Sequence, residues 1–150
     1  MRWANVWVSG DRGLPMGLDV SSLQKAIANL ERAVRRAETD ATDLELRDAT
    51  IQRFEYTYEL AYKMLKRRLE MDSPSPVTVD TLSFRELIRE GAERGLLTSP
   101  EAWFEYREHR NITAHTYNED KATAVYLTAV RFLGDAQALL AVLAVRNRTA

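Results

Sequence analysis

Cysteine is absent from this chain, which rules out disulfides and thiolate-held zinc and is compatible with a reducing compartment. A dominant charge is also lacking. With 21 Lys and Arg against 22 Asp and Glu, the formal net charge is −1, so no global basic field draws the protein to nucleic acid and any RNA contact must be local. No uninterrupted apolar run approaches the roughly 18 residues of a membrane span. The opening Met1-Arg2-Trp3-Ala4-Asn5-Val6-Trp7-Val8 soon reaches Asp11-Arg12-Gly13, unlike a secretory signal. The expectation is a soluble, cytoplasmic protein without membrane contact. Asp-x-Asp, the spacing of metal-binding carboxylates that nucleotidyl transfer requires, occurs nowhere, so this chain is not expected to transfer nucleotides itself. Histidine is scarce as well: His109 and His115 are six apart, which does not match a two-histidine helical zinc face, and neither metal nor cofactor is expected. His109 reads as a solvated helix residue.

What is present is enough apolar material, 45% of 150 residues, for one core. Residues 1–17 hold three of the six glycines and two of the three tryptophans without helical period, and read as a flexible N-terminal arm; Met16 is a second candidate start. Residues 18–150 read as a single helical domain. A first helix is expected from Ser21 or Ser22 as hydroxyl cap, with Leu23, Ile27, Leu30 and Val34 as its stripe. Asp40 or Thr42 restarts the pattern for a long second helix, antiparallel to the first, with Leu44, Ile51, Phe54, Tyr58, Ala61, Tyr62, Leu65 and Leu69 on one side. Asp72-Ser73-Pro74-Ser75-Pro76 stops it and reads as a linker.

Ser83 and Glu86 form a capping box for a short helix with Gly95 as its left-handed stop, and Ser99-Pro100-Glu101 opens the next helix. Asn118 caps a last helix carrying Val125, Ala129, Phe132, Ala136, Leu139, Leu140 and Leu143. No stretch reads as strand. The fold class is therefore all-α, an up-and-down bundle of four main helices plus a short one.

Polar chemistry concentrates in Arg110-Asn111-Ile112-Thr113-Ala114-His115-Thr116-Tyr117. A guanidinium with a fork of donors suits phosphate oxygens, and an imidazole titrates near neutral pH. Five positions on an unbroken helix set Arg110 and His115 about 140° apart, so one substrate cannot easily meet both. Either the helix breaks between Thr113 and Asn118, or a symmetric dimer brings a second copy to the cleft.

Arginine, four residues, histidine, one residue and tyrosine, together with Arg53-Phe54-Glu55-Tyr56-Thr57-Tyr58-Glu59-Leu60-Ala61-Tyr62-Lys63, Arg89-Glu90-Gly91-Ala92 and His115-Thr116-Tyr117-Asn118-Glu119, resemble the HEPN superfamily. More narrowly, over roughly residues 20–145, they resemble its nucleotidyltransferase substrate-binding branch, related to HepT-like toxins. The resemblance implies a HEPN-like bundle that forms a homodimer with the motif at its interface, and a minimal nucleotidyltransferase as partner and antitoxin. It implies a metal-independent endoribonuclease in which Arg110 stabilises phosphate charge, His115 is general acid or base and Asn111 helps to orient. Tyr117 is then the position at which the partner attaches AMP. The other reading that the branch carries is a non-catalytic subunit that binds nucleotide or another substrate.

Tyr58 and Tyr62 with Phe54 are expected in the core rather than on a base-stacking platform, with Tyr56 off the stripe. Lys63, Lys66, Arg67 and Arg68 read as a wet face near a helix C-terminus, and the first three are candidate RNA-backbone contacts if they flank the cleft.

Overall fold

The computed structural model of the chain describes residues 17–112 and 118–149. The arm expected over residues 1–17, Met16 included, lies outside them but for Gly17. Among the described residues six helices follow one another: α1 (Ser21–Thr39), α2 (Leu44–Asp72), α3 (Pro76–Asp80), α4 (Phe84–Glu93), α5 (Pro100–Ile112) and α6 (Glu119–Thr149). Among the described residues there is no strand.

Cross-helix bonds give the directions. Thr57 on α2 donates to the Ala26 carbonyl of α1, and Arg53 to that of Asn29, so residue numbers rise on one helix as they fall on the other and the pair is antiparallel. Arg47 meets Glu119 and Arg68 meets Asn147, which makes α6 parallel to α2. His109 meets Thr128 and Glu105 meets Arg131, so α5 runs against α6. The four long helices thus alternate in direction along the chain, the up-and-down order expected.

Their apolar stripes meet in one core. Leu23, Ile27, Leu30 and Val34 of α1 are buried, as are Ile51, Phe54, Tyr58, Ala61, Leu65 and Leu69 of α2 and Val125, Ala129, Phe132, Ala136, Leu139 and Leu143 of α6. Each fully buried large side chain contributes about 1.5–3 kcal/mol relative to exposure. Phe132 is the hub. Its ring stands edge-on to those of Phe54, Trp103 and Tyr106 at 5.3, 5.7 and 5.1 Å between centroids. That geometry sets positive ring edges against negative faces. By length and composition α6 is apolar enough to cross a membrane, which a search for uninterrupted runs misses because Arg131 and Asp135 stand in its middle. A third of that apolar stretch is buried in the core, and those two charged groups bond Glu105 and Tyr106 of α5.

Local chemistry moves several boundaries. At α1 no serine hydroxyl caps; Asp19 accepts the Ser21 N–H at 3.0 Å instead, a bond that holds its carboxyl below the usual value. Asp43, not Asp40 or Thr42, caps α2 by accepting from the backbone of Glu45 and Leu46, because Asp40 is occupied holding Thr42 in the turn. Leu44, expected on the buried stripe, is 50% exposed one position after that cap. The linker read over Asp72–Pro76 is short, because Pro76 suits the first helical position and opens α3, whose Val79 is buried. The Ser83 capping box and the left-handed Gly95 (φ 78°) stand as expected. At Gly91 an added Cβ would lie 3.0 Å from Leu65 Cδ1, so its lack of a side chain lets α4 lie close on α2.

One polar clasp joins beginning to end. Asn147 Oδ1 accepts from the Leu18 N–H at 2.9 Å and from Arg68 Nη1 at 3.2 Å, while its Nδ2 donates to the Leu18 carbonyl at 2.8 Å. Arg68 also holds Asp72 and is buried, so it leaves the wet cationic face expected of it.

Candidate active site

Arg110 and Asn111 occupy the last turn of α5, and Asn118 caps α6 by accepting the Lys121 N–H at 3.1 Å. His115 and Tyr117, like the whole of Thr113–Tyr117, lie outside the described residues, and most of the expected helix break lies there too. α5 stops at Ile112 and α6 begins at Glu119.

The arginine is anchored from across the bundle. Its Nε donates to Glu59, and its Nη2 lies 3.5 Å from Glu55 Oε2. Glu55 and Glu59 are four apart and so project from one side of α2. The arginine side chain is 30% exposed, and such a half-wet cluster adds little to stability. Its effect is to hold a cation in one place.

Beside it opens a cavity of about 390 Å³ lined by Tyr58, Glu59, Tyr62, Phe84, Arg107, Arg110 and Asn111. The Tyr62 and Phe84 rings are 5.6 Å apart, and the Arg107 guanidinium lies over Phe84 at 4.2 Å. On the adjoining surface Arg85 and Arg89 lie over Phe104 at 4.3 and 5.2 Å, and Phe104 meets Phe84 at 6.1 Å. The exchange is reciprocal: α4 arginines cover an α5 ring, and an α5 arginine covers an α4 ring. No spacing within either helix encodes that crossing, which is why sequence reading missed Arg85, Arg107, Phe84 and Phe104 as site residues. Cations over aromatic faces form a surface suited to nucleotides.

The lysines expected to flank the cleft are less uniform. Lys63 is exposed one turn beyond Glu59, Lys66 lies 3.5 Å from Asp80, and Arg67 is half-buried. Tyr62 is only half-buried and forms cavity wall rather than core, Tyr58 is core and wall at once, and Tyr56 is exposed. Burial pushes the Tyr58 hydroxyl well above its ordinary pKa, with Arg107 pulling weakly the other way, so it stays a neutral phenol. His109 is not a freely solvated residue: it is half-buried, with Nδ1 2.5 Å from the hydroxyl of fully buried Thr128. Among the described residues no cluster of three histidine or acidic side chains is placed to hold a metal.

A larger cavity of about 470 Å³ lies between the α1–α2 turn and the start of α6, lined in part by Leu44, Arg47, Glu119, Tyr126 and Leu127. Its arginine is taken up by Asp48 and Glu119. Neither Arg110 nor Asn111 lines it, so the smaller cavity is the better candidate.

A protein-family description, nucleotidyltransferase substrate binding protein like, matches residues 18–145. The chain is 41% identical over 98 residues to a Haemophilus influenzae protein named probable ribonuclease HepT, spanning 65% of this chain and 67% of that one. It also resembles a solved Haemophilus influenzae structure described as the fold of a substrate binding domain of a nucleotidyltransferase. There the TM-score is 0.77 and the identity 34%, over 83% of this chain and 98% of the other. A solved Thermus thermophilus protein superposes with a TM-score of 0.67 at 30% identity, over 81% and 98% of the two chains.

Proposed function

The chain belongs to the nucleotidyltransferase substrate-binding protein-like family, a HepT-like branch of HEPN proteins, and from that premise we propose that it is a toxin-like, metal-independent endoribonuclease of the cytoplasm. The observation that carries this reading is the placement of Arg110 and Asn111 at an aromatic-walled cavity, immediately before the segment that contains His115. In this mechanism a phosphodiester displaces Glu59 from Arg110, whose donors then meet charge developing on the phosphate oxygens. His115 moves the proton, and Asn111 orients the phosphate or the imidazole. Two copies of the chain build the cleft, each bringing Arg110 and His115 to it. Cations available to follow an RNA backbone are Arg107 in the cavity wall, Arg85 and Arg89 over Phe104, and Lys63, Lys66 and Arg67 along α2.

The partner is a minimal nucleotidyltransferase that attaches AMP to Tyr117. The added negative charge would compete with RNA for Arg110. Purified, unmodified dimer should cleave RNA in the presence of EDTA, His115→Ala should abolish cleavage, and Arg110→Ala should lower it by about 100-fold. Absence of cleavage by the unmodified dimer on tRNA and messenger RNA would sink the proposal. A second reading, a subunit that binds nucleotide without turning it over, is favoured by the cavity's size and by the family's description. Calorimetry would then show binding that depends on Arg110 without product.

A further inference from the structure

Tyr58 is used by none of the motif chemistry, yet it is the oddest side chain in the core. It is 3% exposed, with its ring tilted against those of Phe54, Trp103 and Phe132. Its hydroxyl is the one buried side-chain oxygen or nitrogen among the described residues that lacks a hydrogen-bond partner. Core packing alone asks for a ring of this size without the oxygen, as at Phe54 and Phe132, because a buried unpaired hydroxyl is destabilising. The same residue lines the cavity beside Arg110. An orphaned donor, buried in a residue that lines a cavity, calls for a partner that the cavity's ligand can supply.

The rest of the lining says which ligand. Tyr62 and Phe84 present ring surface, with Arg107 lying over Phe84. Asn111 offers an amide that both donates and accepts, Glu59 accepts, and Arg110, held by Glu59 and Glu55, carries donors that an anion can compete for. Flat apolar faces, a mixed hydrogen-bonding edge and an anion site match one chemistry, a heteroaromatic base joined to a phosphate. The cavity's volume of about 390 Å³ falls within the range of roughly 300–1,000 Å³ common for small-molecule sites.

We propose that this cavity is a nucleobase subsite in which the base stacks on Tyr62 and Phe84 and its polar edge pairs with the Tyr58 hydroxyl and Asn111, while the attached phosphate takes Arg110 from Glu59. The ligand is a nucleoside monophosphate unit, free or as one residue of an RNA strand, and the assignment rests on the reading that Arg110 binds phosphate. Tyr58 is then a specificity-determining residue, kept as a neutral donor by its burial.

The test uses the full chain and its Tyr58→Phe variant, with AMP, GMP, CMP and UMP in calorimetry, a melting curve without ligand, and mapping of cleaved ends in mixed-sequence RNA. The wild-type chain should rank the four nucleotides. Tyr58→Phe should melt at or above the wild-type temperature, bind the preferred nucleotide about tenfold more weakly and lose the ranking. Inorganic phosphate binding should be unchanged by Tyr58→Phe. The proposal fails if Tyr58→Phe keeps both affinity and ranking, if it melts well below wild type, or if the wild-type chain binds none of the four. Cleavage that needs His115 but ignores Tyr58→Phe in rate and base preference would overturn the subsite and leave the ribonuclease standing. Tyr58-dependent nucleotide binding without any cleavage would do the reverse.

Discussion

On α2 the side carrying Phe54, Tyr58, Ala61 and Leu65 is sealed in the core, while the side one position on, with Glu55, Glu59 and Tyr62, faces Arg110 and the cavity. Both sides repeat at helical spacing, and both are met by α5. They differ in what would be lost with them. The sealed side is held by area removed from water, so its side chains are needed for the fold whatever the protein does. The open side holds cations in place with carboxylates that water also solvates, an arrangement with little stability in it. Tyr58 belongs to both, packed among the rings of the first and part of the cavity wall on the second.

Variants that separate the two sides test the distinction. Phe132→Ala should have the largest effect, about 3–5 kcal/mol lost in chemical denaturation, because a ring packed on four others leaves a cavity that cannot close. Arg110→Ala should lower RNA cleavage or nucleotide affinity by about 100-fold while costing less than about 1 kcal/mol in the same denaturation experiment. A large stability loss there would merge the two sides and undo the comparison. Glu59→Gln should change stability by no more than about 0.5 kcal/mol and strengthen phosphate binding a few-fold, since a competitor for the guanidinium is weakened; calorimetry with inorganic phosphate reads this directly.

The smallest effect concerns alkali. The buried Tyr58 hydroxyl has its folded pKa raised above the ordinary 10.0. Its neutral form is favoured in the folded chain, so that contribution is complete below pH 10 and is lost as pH climbs beyond it. Tyr58→Phe should therefore show a shallower alkaline fall in melting temperature than wild type. An identical alkaline limb would mean the phenol is not buried as described.

How far the sequence could be read follows the same division. The stripes of α1, α2 and α6, the Ser83 box and the Gly95 turn were legible because each depends on neighbours three or four residues away. Caps shifted where several candidates crowd together, as at Asp40, Thr42 and Asp43, where the turn takes one carboxylate and the helix another. Arg68 and His109 were misplaced because their partners, Asn147 and Thr128, lie on another helix far along the chain. The arginine–ring exchange between α4 and α5 was invisible for the same reason. Arg110 was identifiable by its motif, but its carboxylate anchors were not. His115 and Tyr117 remain assignments by resemblance, in a segment outside the described residues.

The clasp at Asn147 bears on how the chain is strung. Because one amide grips both the backbone before α1 and a side chain on α2, the points where the chain enters and leaves the bundle are neighbours. A circular permutant, joined by a short linker from the end of α6 back to Gly17 and opened at the exposed Ser75, would keep all four long helices in register. The order in which a ribosome delivers the helices would then be adjustable without touching either side of α2.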